Sequence, residues 1–200
     1  MAKFKSGSIP SNKYAEKSLL TKLLIAINTD DGEEDYDTTW YPNGFGSNQI
    51  TVGNDNTGSC DAGFRFVRPS IPNNAKITKA VLQVKAAVNS TKRPKYLIKG
   101  AKEVASNTFG AGARPSQRAK TTASVAWDIA ENWVQDTWYE TPDIKAVIQE
   151  ILDQAEYTGK AIALVIEDNV STANHYENIY DFNSGQANAA RLVLTFGPNI

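Results

Sequence analysis

The side chains able to do chemistry are few and scattered along the chain. His175 is the single histidine and Cys60 the single cysteine, which leaves little imidazole or thiol chemistry, no internal disulfide and no Cys-rich zinc site. His175 has the chemistry to stack on a sugar or ligate a metal, although a lone histidine is more often a surface or core residue. Flat aromatic faces pack on the C–H faces of pyranose rings. Trp40-Tyr41, Trp138-Tyr139 and the pair His175-Tyr176 are therefore the candidate glycan-binding residues. Trp127 belongs instead to the alternating set Val125, Trp127, Ile129 and is expected in the core. Asp30, Asp31, Glu33, Glu34, Asp35 and Asp37 form an oxygen-rich stretch of the kind that holds Ca2+. It departs from EF-hand spacing, because Gly32 comes too early and Tyr41 stands at the twelfth position from Asp30. A solvated acidic loop, or a patch for a basic neighbour, is the reading adopted, with Ca2+ at Asp30 to Asp37 as the alternative. Carboxylate pairs such as Asp128 and Glu131, or Asp136 and Glu140, would suit glycoside hydrolysis only at a separation that sequence does not give. With no phosphate-cradling glycine loop and no metal-hydrolase signature, the expectation is a protein without enzymatic activity or cofactor.

The elements that must position these residues are set by composition. Two hundred residues, 41% hydrophobic and 22% charged, suffice for one core, and the formal charge of −1 argues against general nucleic-acid binding. The charge is uneven: residues 1–100 carry 14 Lys/Arg against 9 Asp/Glu, and residues 101–200 carry 7 against 13. Between Lys85 and Lys120 nine basic residues face the single acid Glu103. That excursion, with Arg114 and Arg118 at its centre, is a candidate for docking on an acidic surface of another subunit or a second copy.

Residues 1–18 hold four Lys and one Glu and too few apolar side chains for a core element, so they read as an extended arm with Lys3, Phe4, Lys5, Ile9 and Pro10 as assembly contacts. Residues 19–200 read as a single domain. The apolar stretch Leu19 to Ile27 is broken by Lys22 and lacks a small-residue cleavage site, so it reads as a strand rather than a signal peptide, and synthesis in the cytoplasm is expected. No run approaches the ~20 apolar residues that span a bilayer. Phe64-Arg65-Phe66 alternates as a strand does. So does the run in which Ala80, Leu82, Val84, Ala86 and Val88 share one face. Residues 106–124 read as a long irregular excursion. One amphipathic helix is expected over about 142–156. Thr141 is its N-cap, Pro142 its first position, and Ile144, Val147, Ile148, Ile151, Leu152 and Ala155 form its apolar stripe, packed over the strand Ala161 to Ile166. Tyr176 to Phe182 and Arg191 to Phe196 close the chain as strands. About nine strands and one helix specify a mainly β fold, a two-sheet jelly-roll-like β-sandwich.

Phe64-Arg65-Phe66, then Ile71-Pro72-Asn73-Asn74-Ala75-Lys76-Ile77-Thr78-Lys79-Ala80-Val81-Leu82-Gln83-Val84, resembles the hallmark of disaggregatase-related (DNRLRE-type) sandwich modules. Val125 to Ile129 is similar to their Trp-Asp strand and Ala190 to Phe196 to their last strand. The resemblance covers roughly residues 48–197. It implies a relationship to carbohydrate-binding modules and to similar sandwiches of bacteriophage particles. Together with a missing export signal, it implies a virion protein made in the host cytoplasm: a capsid decoration, head-fibre or tail-associated subunit. Its partners would be other virion proteins and copies of itself. A carbohydrate-binding module or host-surface glycan adhesin is the alternative.

Overall fold

Alternating side chains become strands in the computed structural model, which describes residues 18–42, 44, 48–67, 69, 71–72, 75–157 and 159–197. Among these, twelve strands form two antiparallel sheets. The smaller contains β1 (Leu19–Leu24), β12 (Arg191–Gly197), β6 (Lys76–Lys85) and β9 (Trp138–Glu140), in that order. The larger runs β11 (His175–Tyr180), β4 (Gln49–Asn54), β5 (Ser59–Val67), β10 (Ala161–Asp168), β7 (Lys95–Ala101), β8 (Lys120–Asp128). Two short strands, β2 (Asp31–Glu34) and β3 (Trp40–Tyr41), join it through β5. The architecture is a β-sandwich, as the periodicity predicts. Its core interleaves Phe64, Phe66, Ile98, Ile162 and Leu164 of the larger sheet with Leu82, Leu192 and Leu194 of the smaller. Burying each such side chain contributes about 1.5–3 kcal/mol. Trp127 belongs to this core.

Several expectations are corrected. The strand count exceeds nine because part of the acidic stretch, read as a loop, is strand β2, and both Trp-Tyr pairs lie in short strands of their own. The irregular excursion ends earlier than expected, since Lys120 to Asp128 is strand β8. The proposed arm lies outside the described residues apart from Ser18, and with it Lys3, Phe4, Lys5, Ile9 and Pro10. Among the described residues no helix is long and apolar enough to cross a membrane.

The helix, α1, spans only Lys145–Leu152. The expected cap Thr141 is used elsewhere, since its Oγ1 accepts the Leu82 amide at 3.0 Å; Asp143 Oδ1 accepts both the Ala80 amide and, at the helix start, the Lys145 amide, each at 3.0 Å. Residues 141–143 thus extend the edge of β6 rather than opening a helix. Nor does α1 cover β10; it packs on β6, β7 and β8. Gln149 accepts the Ile77 amide at 2.8 Å, and Glu150 accepts the Thr122 and Ala123 amides at 2.9 and 2.8 Å. One helix thereby satisfies edge amides of both sheets, which would otherwise be open to pairing with another chain. The outer face of β10 is covered instead by Phe109 of the excursion, which packs with Ala163 and Val165. A side chain at Gly63 would stand 2.7 Å from the Phe109 ring, so only glycine lets the excursion close over the sheet.

Candidate functional site

The acidic run from Asp30 to Asp37 is not a solvated loop. Asp30, Asp31, Glu33 and Glu34 are all buried, because β2 pairs with the inner strand β5. Each finds internal partners. Arg65 bonds the Asp30 carboxylate at 2.6 Å and, through Nε, the Ser106 carbonyl at 2.7 Å. Arg114 meets Glu34 at 3.0 Å, and the Ser116 amide donates to the same carboxylate at 2.7 Å. Glu33 accepts the Thr51 amide. Asp31 accepts the Phe182 amide at 3.0 Å, and among the described residues it forms no ion pair. Burial, then the neighbouring charges of Asp181 and Asp30, push its pKa up to about 8.

The same bonds draw the basic excursion inward. The Arg118 side chain is 3% exposed; it pairs with Glu103 at 2.6 Å, donates to the carbonyls of Ala113, Asn107 and Thr108, and lies over the Phe109 ring. Arg114 and Arg118, expected as docking contacts, are therefore occupied in folding the excursion onto the sheet.

The candidate glycan residues divide likewise. Trp40 stacks on Phe109 with ring centroids 5.3 Å apart and crosses Gly32, where a side chain would come within 2.6 Å of it. Trp138 lies beneath the Arg191 guanidinium, 3.4 Å from its ring centroid. Tyr139 stacks on Trp133 at 4.4 Å, and its hydroxyl accepts the Val134 amide at 2.8 Å. Half-buried His175 begins β11, as expected, and its Nδ1 lies 3.1 Å from the Ala173 carbonyl. These side chains are not gathered into one sugar platform.

Tyr41 and Tyr176 are brought together. They line an open cleft of about 500 Å³ with Tyr36, Glu33, Asp35, Asp37, Thr51, Asp55, Thr57, Cys60 and Asn178. The cleft forms where β2 runs out past Glu34, between β4 and the 55–58 turn, with β11 as its far wall. Asp55 Oδ1 holds that turn by accepting the Thr57 and Gly58 amides at 2.9 and 3.2 Å. Burial pushes the Asp55 carboxyl up, but the hydrogen bonds from Thr57 and Gly58 outweigh it and hold the group below its ordinary pKa. Asp37 is lowered as well, by bonds from Thr39. Asp35 Oδ1 accepts the Tyr36 amide at 2.7 Å and faces the Cys60 sulfur at 3.4 Å.

Among the described residues the six carboxylates of the run do not converge on one point. The trio whose ligating atoms do come within 4.8 Å of one another joins Asp35 to Asp55 and Cys60. Burial and the charges of Asp55 and Asp35 push the Cys60 thiol well up, so it is a donor in this trio and neither a nucleophile nor a thiolate ligand. Sequence reasoning missed Tyr36, Thr51, Asp55 and Asn178. Asp55-Asn56-Thr57-Gly58 carries the signal of an Asx turn, which locates Asp55 on a tight loop, but only the pairing of β4 with β11 brings Asn178 to Thr51, 3.1 Å away. No family model matches the chain, and no curated protein matches it.

Proposed function

We propose that the chain is a non-catalytic, glycan-binding β-sandwich. The observation that carries this reading is the convergence of the Tyr36 and Tyr41 phenol rings, beside a Tyr176 ring already covered on one face by the Lys92 ammonium, with Thr51, Asp55 and Asn178 in one open cleft. Aromatic faces take the C–H surface of a pyranose, and short polar side chains at the rim exchange hydrogen bonds with its hydroxyls. Binding rather than turnover is favoured because Asp35, Asp37 and Asp55 are engaged as acceptors for turn amides and the nearby thiol is protonated. A glycan array probed with multimerised protein tests the reading. Binding that is abolished in Tyr36→Ala/Tyr176→Ala supports it; background signal throughout rejects it.

A second reading, a subunit of a bacteriophage particle acting through protein contacts, draws on a different feature. Among the described residues β1 pairs only with β12, so its other edge is free, and Leu20 and Leu24 on it are 73% and 43% exposed. The segment holding Lys3, Phe4, Lys5, Ile9 and Pro10 leads directly into this edge. The two readings are compatible, since many copies on one particle make weak glycan contacts effective. Deleting residues 1–17 is expected to reduce incorporation into particles while leaving thermal stability unchanged. Absence of the chain from purified particles, read by mass spectrometry, ends this reading.

A further inference from the structure

Beyond the C-terminal end of β1 the chain encloses an open hollow of about 520 Å³, lined by Ala26, Ile27, Asp30, Arg65, Val67 and Lys160. Its place follows from the strand pattern. Arg65 and Val67 are alternate residues of β5 and so share one face of the larger sheet, while Lys160 immediately precedes β10, whose Ala161 pairs with Val67. Ala26 and Ile27 lie where the chain leaves β1 of the smaller sheet for β2 of the larger, and they supply the other wall. Ile27 is 49% exposed, an apolar side chain left open beside the hollow.

The polar groups of this hollow are unequally served. Arg65 Nη1 donates to Asp30 Oδ1 at 2.6 Å, and Arg65 Nε to the Ser106 carbonyl at 2.7 Å. Asp30 is 0% exposed, and its Oδ2 is buried without a hydrogen-bond partner. One carboxylate oxygen thus secures the fold, and the other is an acceptor left without a donor, which is costly in a buried place. Because Arg65 already balances the Asp30 charge, the missing partner is a neutral O–H or N–H donor and not a second cation. Lys160 is the remaining charge of the lining. It is exposed, and among the described residues it forms no ion pair. The hollow therefore has an acceptor at its buried end, apolar walls and an unbalanced positive charge at its open side.

We propose that this hollow binds a small aromatic hydroxy acid: a phenol whose O–H donates to Asp30 Oδ2, whose ring packs on Ala26, Ile27 and Val67, and whose carboxylate meets Lys160. Each part answers one feature of the lining. The phenol O–H is a neutral donor, and its bond to a carboxylate is charge-assisted. A flat ring buries apolar surface against three side chains that carry no polar group. A carboxylate opposes the one cation that has no counter-charge. An amine at that end is repelled by Lys160, and a ring without the hydroxyl leaves Asp30 Oδ2 as unpaired as before. The hollow shares no residue with the tyrosine cleft, so this ligand and a glycan occupy separate sites.

Calorimetric titration of the full chain tests this with 4-hydroxyphenylacetate, phenylacetate, 4-hydroxyphenylacetamide and 4-hydroxyphenylethylamine. The hydroxy acid is expected to bind about tenfold more tightly than phenylacetate, which lacks the donor, and than the amide, which lacks the charge, with the amine weakest. Because the ligand is changed and the protein is not, these comparisons hold whatever a variant does to folding. In Lys160→Ala, a surface change, the acid should lose its advantage over the amide and keep its advantage over phenylacetate. Val67→Trp should fill the hollow and abolish binding. Amide chemical-shift changes caused by the hydroxy acid should centre on residues 26–30, 65–67 and 160. No binding of 4-hydroxyphenylacetate overturns the proposal, as does phenylacetate, the amide or the amine bound as tightly. Binding that both variants leave unchanged overturns it too, since the ligand then sits elsewhere. None of these outcomes alters the glycan array, so the two readings fail independently.

Discussion

Asp30 and Glu34, at either side of the buried part of the acidic run, each face an arginine from a distant part of the chain. Asp35 and Asp37, one and three residues beyond, line a cleft with tyrosines, and among the described residues neither forms an ion pair. Residue type is the same in both regions; what differs is the element set opposite. β2 carries the first group under the excursion, where Arg65 and Arg114 wait, and the chain then leaves the sheet and delivers the second group to an open wall. A buried carboxylate must be neutralised within the fold, whereas a carboxylate in an open cleft is hydrated and can exchange that water for a ligand. The acids of one run are thus divided between holding the fold and presenting a surface, and each group can be tested separately.

The largest effect is expected at Arg65. Arg65→Ala leaves Asp30, fully buried, with an uncompensated charge, and should cost about 3–5 kcal/mol in urea unfolding. The double change Arg65→Met/Asp30→Leu removes the charge with the cation and should recover most of that loss. If the single change costs under 1 kcal/mol, the first region is not held by its ion pairs and the contrast fails.

Asp31 forms no ion pair among the described residues and responds to pH instead. Its folded-state pKa, about 8, lies above the unfolded value of 3.8, so its proton stabilises the fold fully below about pH 4 and this contribution is lost as pH rises towards 8. The slope is about 1.4 kcal/mol per pH unit, or about 3 kcal/mol between pH 5 and pH 7. Asp61 and Glu177, raised by burial to about 6 and about 7, act in the same direction. Asp31→Asn should flatten this fall, measured as Tm against pH. A variant whose stability falls as steeply as the wild type shows that the Asp31 carboxyl is not held protonated.

Arg114 stands between these cases and the cleft. Glu34 keeps the Ser116 amide when Arg114 is removed, so Arg114→Ala should cost about 1–3 kcal/mol, less than Arg65→Ala. It should also loosen residues 110–118, read as faster amide exchange there, with β10 still protected.

How much of this was legible from sequence follows from the range of each signal. Period-two alternation reports on one strand at a time, and it located β5, β6 and β12, while the unbroken apolar run Ala161 to Ile166 located β10. The stripe Ile144, Val147, Ile148, Ile151, Leu152 likewise located α1, because its buried face is a local pattern. Thr141 was misread since a capping side chain and an edge-pairing side chain look identical in sequence; the amide it accepts, of Leu82, is about 60 residues away. The burial of Asp30 to Glu34 was hidden for the same reason, as the neutralising arginines are 35 and 80 residues distant. Trp40, Trp138 and Tyr139 have the composition of a sugar platform, but Phe109, Arg191 and Trp133 reach those rings first. The cleft takes Tyr41 and Tyr176 from strands joined through β2, β5 and β4, a series of pairings that no local period encodes.

The smallest effect is expected on the open side. Asp37 is exposed, and its Oδ1 accepts the Thr39 amide at 2.8 Å, a bond that an asparagine oxygen can keep. Asp37→Asn should leave the urea unfolding midpoint close to that of the wild type at neutral pH. The Thr39 bonds hold the aspartate below its ordinary pKa, so whatever the charge contributes is present above the unfolded value and is lost as pH falls through the lowered folded one. Wild type and variant should therefore converge in acid, the opposite of the trend at Asp31. A drop in stability as large as that of Arg65→Ala would mean that the cleft acids are as structural as the buried ones. The cleft would then be a by-product of turn formation, and its charge would say nothing about a ligand.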